Sequence, residues 1–141
     1  MTMRSLKILL VEDHTDTSTV LSKVLARQGH AVEIATDCAS ARRCAGTQMF
    51  DLLITDVGLP DGSGLDLMRE MRSRGEVRGI VLSGYGTELD KERSQTAGFA
   101  VHLTKPVPLD KLLETIGHVM SNDATGGAPS GGASSDGDGR A

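Results

Sequence analysis

Five short apolar runs recur along the chain, and each is followed by polar or turn-forming residues. Continuous apolar runs of this length are typical of strands that are buried on both faces of a parallel sheet. The predicted strands are Lys7–Val11, Val32–Ala35, Leu52–Ile54, Gly79–Leu82 and Ala100–Leu103.

The segments after these runs carry apolar residues at helical spacing, and each begins with a residue that favours a helix start. The predicted starts are Thr15 or Asp16, Asp37, Ser63, Thr87 and, in the first turn of the last helix, Pro108. Gly29 is placed to end the first helix in a left-handed conformation, and the second helix is expected to end near Met49. The fourth helix, Thr87–Ala97, has an apolar face of little more than Leu89 and Ala97, so we expect it to be the least stable element.

Alternation of strand and helix indicates a parallel five-stranded sheet with helices on both faces. Because crossovers between parallel strands are right-handed, few topologies remain. The commonest is the flavodoxin-like (βα)5 three-layer sandwich, an α/β fold with strand order 2-1-3-4-5. The predicted domain covers residues 1–120. Residues 121–141 are rich in Gly, Ser, Ala and Asp without periodicity, so a disordered tail is expected there.

Composition narrows the function classes. The net charge is −4, the basic residues are scattered, and few residues are aromatic, so we do not expect a nucleic-acid-binding surface. The sequence has no apolar stretch of membrane-spanning length and no signal-peptide pattern at its N-terminus, so we expect a cytoplasmic protein that does not bind membranes. Cys38 and Cys44 lie about 9 Å apart along a predicted helix. That distance exceeds the roughly 7 Å reach of a disulfide, so free thiols are expected.

Polar side chains at the strand ends carry the candidate chemistry. Four of the predicted strands are neighbours, so their carboxyl ends form one crevice. The residues at these ends are Glu12, Asp13, Asp56, Ser83 and Lys105. Clustered carboxylates repel one another unless a cation lies among them, and oxygen ligands suit Mg²⁺. The ammonium and hydroxyl groups match a tetrahedral anion, so the set predicts a phosphoryl-transfer site with a carboxylate nucleophile. Taken singly, such residues favour the simpler role of a cap, a turn residue or a solvated charge, and the chemical role rests on the whole set.

The motifs ILLVED, LLITDVGLPDGSGLDLM, IVLSGYG and HLTKP occur in this order between Leu6 and Met120. Together they resemble the receiver domain of bacterial two-component response regulators, and the residues of these motifs are most similar to those in the terminal receivers of hybrid sensor histidine kinases. The resemblance implies a phosphoacceptor signalling module of a phosphorelay. Its partner would be a histidine kinase or a histidine phosphotransfer protein.

The same resemblance assigns roles to individual residues. Asp56 would accept the phosphoryl group from a phosphohistidine, and Ser83 and Lys105 would contact the phosphoryl oxygens. Asp13 and Asp56 would bind Mg²⁺ directly with the backbone carbonyl of Gly58, and Glu12 would hold the ion through water. The module would catalyse only its own phosphorylation and dephosphorylation. It would be a monomer, or a weak homodimer through the face of the fourth helix, fifth strand and fifth helix.

Ser83, His102 and Tyr85 are the predicted switch residues. Receivers usually carry Tyr or Phe three residues before the lysine, where this chain has His102. We expect its ring to pack and switch as an aromatic ring does; the alternative is that its charge makes the switch sensitive to pH near neutrality. Gly58 and Tyr85 border the route of the attacking water in this family. His14 follows the acidic pair and could reach the crevice, although a histidine at a helix start is more often solvated.

Two other functions are compatible with these residues. One is a Mg²⁺-dependent phosphatase with Asp56 as nucleophile, but such enzymes of the haloacid dehalogenase kind have a second Asp where this chain has Gly58. The other is a receiver that no longer signals by phosphate and only binds a partner, and the intact acidic set argues against it.

Overall fold

Each apolar run forms a strand of one parallel sheet in the computed structural model, which describes residues 5–84 and 86–121. The strands of the main sheet have the order β2-β1-β3-β6-β7, which is the predicted flavodoxin-like order. The elements are β1 (Lys7–Val11), α1 (Thr15–Arg27), β2 (Ala31–Ala35), α2 (Cys38–Thr47), β3 (Leu52–Asp56), β4 (Gly58–Leu59), β5 (Gly62–Ser63), α3 (Gly64–Arg74), β6 (Arg78–Ser83), α4 (Glu88–Ala97), β7 (Val101–Thr104) and α5 (Leu109–Ser121).

The sheet separates two apolar layers, because successive strand residues point to opposite faces. On one face, Leu9, Leu53 and Val81 pack against the buried residues of α2, α3 and α4. On the other face, Ile8 and Ile80 pack with the buried residues of α1 and α5. The middle residues of the central strands are apolar because both faces of these strands are covered.

The helix starts agree with the predictions in most cases. Asp37, Ser63 and Thr87 are N-caps whose side chains accept backbone N–H groups, and the left-handed Gly29 follows the end of α1 with φ 95°. The prediction of Thr15 or Asp16 as the first cap was wrong. The N-cap is His14, because the chain turns immediately after Glu12 and Asp13.

Two further boundaries differ from the predictions. The second helix ends at Thr47, two residues before Met49, because Gln48 is already extended. Pro108 lies immediately before α5, where its carbonyl accepts the N–H of Leu112. The sequence pattern also gave no sign of the antiparallel pair β4–β5, which is too short to show a period.

The weak apolar face of α4 is confirmed, since Leu89 is 54% exposed and Ala97 is the main apolar group that the helix buries. Cys38 and Cys44 are free thiols, as expected. Within the described residues, no helix combines the length and the apolar character needed to cross a bilayer. Residues 122–141, most of the predicted tail, lie outside the described residues.

Candidate functional site

The strand register brings the predicted site residues to one edge of the sheet. Val11 is paired with Thr55, so the next residues along these strands, Glu12 and Asp56, are neighbours. Asp56 is in turn paired with Leu82, which precedes Ser83. Ser83 is paired with Thr104, which precedes Lys105. Four strand ends distant in sequence therefore meet because the strands are parallel and in register.

Lys105 bridges the buried carboxylates of this edge. Its Nζ lies 2.7 Å from Asp56 Oδ1 and 3.3 Å from Glu12 Oε1. The Glu12 and Asp56 side chains are almost fully buried, whereas about a third of Lys105 is exposed. The main chain fixes the lysine further, because its N–H donates to the carbonyl of Ser83 at 2.7 Å.

The burial of these carboxylates perturbs their proton affinity. Burial and the adjacent Glu12 raise the pKa of Asp56 to about 7, although Lys105 acts in the opposite direction. Burial alone would raise the pKa of Glu12, but its contacts with Asp56, His14 and Lys105 outweigh burial and lower it. Of the two buried carboxylates, Asp56 therefore binds a proton more readily than Glu12. Ionising Asp56 is costly in the metal-free protein, and a cation bound beside it would stabilise the ionised form.

Asp13 and His14 form the open side of the site. The His14 N–H donates to Glu12 Oε2 at 3.0 Å, and the imidazole Nδ1 lies 3.2 Å from the same oxygen. Nδ1 is also 3.6 Å from Asp13 Oδ1. One donor atom from each of Glu12, Asp13 and His14 fits within 4.8 Å. Carboxylate oxygens grouped this closely have the donor chemistry of a divalent-cation site.

The β4–β5 hairpin begins one residue after Asp56 and presents the exposed Gly58. A Cβ at Gly64 would collide with the Asp56 carbonyl and lie 2.9 Å from Thr55, so only glycine allows α3 to start this close to β3. Asp61, at the hairpin turn, accepts the N–H groups of Cys38 and Ala39 at 2.7 and 3.0 Å. It thereby ties the hairpin to the start of α2. Sequence reasoning missed this role, because an Asp in a turn gives no sign of a partner 23 residues away.

Two of the predicted switch residues, Ser83 and His102, lie on β6 and β7. Ser83 is buried at the end of β6. His102 is partly buried on β7, where it is paired with Val81, so it lies on the sheet face that α4 covers. Tyr85 lies outside the described residues. The structure therefore brings Ser83 to the edge that holds Asp56 and Lys105, and places His102 three residues before that lysine.

Comparison with known protein sequences finds similarity to response regulators. The family model described as response regulator receiver domain matches residues 8–117. Response regulator protein PmrA of Pseudomonas aeruginosa is 37% identical over 111 residues, which are 76% of this chain and 49% of the relative. The DNA-binding transcriptional regulator NtrC of Azospirillum brasilense is 31% identical over 122 residues, which are 86% of this chain and 25% of the relative. The chain thus spans about half or less of the length of these relatives.

The chain matches two solved receiver structures over nearly the whole length of each. A CheY-like receiver domain from Methanospirillum hungatei JF-1 has a TM-score of 0.80 and 27% identity, covering 88% of this chain and 100% of that one. The receiver domain of sensor histidine kinase PA1611 from Pseudomonas aeruginosa PAO1 has a TM-score of 0.73 and 30% identity, covering 84% of this chain and 99% of that one. The latter structure has a magnesium ion coordinated in its active site cleft.

Proposed function

Because this chain belongs to the response regulator receiver domain family, it is a receiver domain of two-component signalling, and we propose that Asp56 is its phosphoacceptor. The observation that carries this proposal is the ion pair of the buried Asp56 with Lys105, at 2.7 Å, beside the buried Glu12. Family membership does not favour the phosphatase alternative.

The proposed reaction transfers a phosphoryl group from a phosphohistidine of a partner protein. A carboxylate oxygen of Asp56 forms a bond to phosphorus while the bond from phosphorus to the donor imidazole nitrogen breaks, and the imidazole leaves with that electron pair. Lys105 contacts the transferred oxygens with its ammonium group, and Ser83 donates its hydroxyl to them. Hydrolysis of the resulting acyl phosphate by water returns Asp56 to its carboxylate form.

The donor set fits the divalent cation that this chemistry requires. Glu12, Asp13, Asp56 and the Gly58 carbonyl offer oxygen ligands, which Mg²⁺ prefers. When bound, Mg²⁺ would supply positive charge to the phosphoryl oxygens. We assign direct contact to Asp13, Asp56 and Gly58, and contact through water to Glu12.

Family membership supports a proposal for the partner protein and the cellular compartment as well. Receiver domains interact with histidine kinases or phosphotransfer proteins, and we propose one of these as the phosphoryl donor, in the cytoplasm, where ATP sustains such kinases. Self-association, if it accompanies phosphorylation, would use the face formed by α4, β7 and α5. Ser83, His102 and Tyr85 would report the phosphorylated state to that face.

The test is the intact mass of the protein after incubation with acetyl phosphate and Mg²⁺. We expect the wild type to gain one phosphoryl group, and Asp56→Asn or a chelator to abolish the gain. Asp66→Asn, which changes an exposed carboxylate on α3 in the same way, should leave the gain intact. An unmodified wild type, or an Asp56→Asn variant that is still modified, would contradict the proposal. Turnover of p-nitrophenyl phosphate would instead support the phosphatase.

A further inference from the structure

His14 lies at the open side of the acidic site, and the proposed phosphorylation does not use it. Its side chain is 75% exposed, yet Nδ1 points back to the carboxylates and lies 3.2 Å from Glu12 Oε2. The backbone fixes this placement, because His14 is the N-cap of α1 and its N–H donates to the same Glu12 oxygen. The exposed imidazole is therefore held beside the cation site and is not extended into solvent.

The spacing of these atoms matches that of ligands on one metal ion. Neighbouring ligand atoms in an octahedral site with bonds of about 2.1 Å are about 3 Å apart. His14 Nδ1 is 3.2 Å from Glu12 Oε2 and 3.6 Å from Asp13 Oδ1. One ion can therefore contact Nδ1 together with a carboxylate oxygen after small side-chain rotations.

A nitrogen donor changes which ions a site prefers. Oxygen ligands suit Mg²⁺, whereas imidazole nitrogen suits ions later in the first transition series, such as Ni²⁺ and Zn²⁺. We propose that His14 is a direct nitrogen ligand of the cation site, which gives the site a preference for transition-metal ions over Mg²⁺. This inference rests on the cation site of the proposed function and adds a ligand to it.

Besides these small rotations, binding requires a change of tautomer at the imidazole. In the metal-free protein, Nδ1 lies 3.2 Å from Glu12 Oε2, and because an ionised carboxylate only accepts hydrogen bonds, a hydrogen bond there requires the hydrogen on Nδ1. In the metal-bound form, the Nδ1 lone pair faces the ion, and Nε2 carries the hydrogen toward solvent. The Glu12 oxygen that accepted the hydrogen bond is then available to a water bound to the ion.

The first test compares ion affinities by calorimetry on untagged protein. We expect His14→Gln to weaken Ni²⁺ binding at least about tenfold, as the loss of a metal's supporting group typically does, and to change Mg²⁺ binding by less than about twofold. His118→Gln, which removes an exposed histidine from α5, should change neither affinity. An unchanged ratio of Ni²⁺ to Mg²⁺ affinity in His14→Gln would overturn the inference.

The second test detects the bond itself. Pulsed electron paramagnetic resonance of bound Mn²⁺ should show coupling to an imidazole nitrogen in the wild type and in His118→Gln, and none in His14→Gln. Absence of nitrogen coupling in a wild type that binds Mn²⁺ would reject His14 as a ligand.

A third variant distinguishes failure of the cation site from failure of His14 as a ligand. Asp13→Asn should weaken binding of Mg²⁺ and Ni²⁺ together, because Asp13 is a proposed ligand of either ion. Mg²⁺ binding that depends on Asp13 but not on His14, without nitrogen coupling, would leave the proposed function intact and reject the inference. A wild type that binds no divalent ion at Asp13 would reject both.

Discussion

The Asp56 carboxylate opposes folding in the metal-free protein, so replacing it with an amide should stabilise the fold. Burial and the adjacent Glu12 raise the pKa of Asp56 from its ordinary value of 3.8 to about 7. Each unit of pKa difference corresponds to about 1.4 kcal/mol, so the ionised side chain reduces the free energy of unfolding by about 4 kcal/mol. The amide of Asp56→Asn would remove the closer of the two carboxylate partners of Lys105 and leave Glu12 as the other, which costs about 1–3 kcal/mol. We therefore expect a net gain of about 2 kcal/mol for Asp56→Asn.

The gain should depend on pH in a defined direction. Folded Asp56 holds its proton up to about pH 7, whereas the unfolded chain releases it near pH 3.8, so wild-type stability falls as pH rises through this interval. The difference in the free energy of unfolding between Asp56→Asn and the wild type should be largest near pH 8 and shrink as the pH is lowered toward about 5. Saturating Mg²⁺ should reduce it, because a cation compensates the wild-type charges.

Urea denaturation with a chelator present measures this difference. The control is Asp66→Asn, where the carboxylate is 58% exposed and the same change should alter stability by less than about 0.5 kcal/mol. A difference between Asp56→Asn and wild type that is the same at both ends of the pH range would refute the reasoning. Lower stability of Asp56→Asn near pH 8 would refute it as well.

Two further predictions concern residues away from the site. The buried His30 accepts the Leu6 N–H through Nδ1, and burial lowers the pKa of His30. In urea titrations, the stability of the wild type relative to His30→Gln should therefore fall as the pH drops below 6.5. A stability difference that does not change with pH would contradict this. Gly79→Ala should cost about 1–3 kcal/mol in the same assay, because the added Cβ would lie 2.6 Å from Met68 Sδ. Gly46→Ala, in open space on α2, should gain about 0.5–1 kcal/mol, and equal effects at the two glycines would refute the packing argument.

The sequence alone determined the alternation of strands and helices, the strand order and the family resemblance. These features depend on local periodicity and on general topological rules, both of which can be read from short segments. The acidic and polar residues at the strand ends could be predicted for the same reason. A parallel sheet gathers its strand ends at one edge whatever the details of packing, and the register of Asp56 and Ser83 confirms that they meet there.

Only the tertiary structure decided which of these groups contact one another. Lys105 contacts Glu12 across 93 residues of sequence, and Asp61 caps α2 across 23. Such contacts depend on strand register and helix placement, which single residues do not encode. His14 illustrates the same limit: the sequence favoured a solvated side chain, and the side chain is exposed, but the turn after β1 also aims Nδ1 at the carboxylates. Exposure follows from residue type, whereas direction follows from the fold.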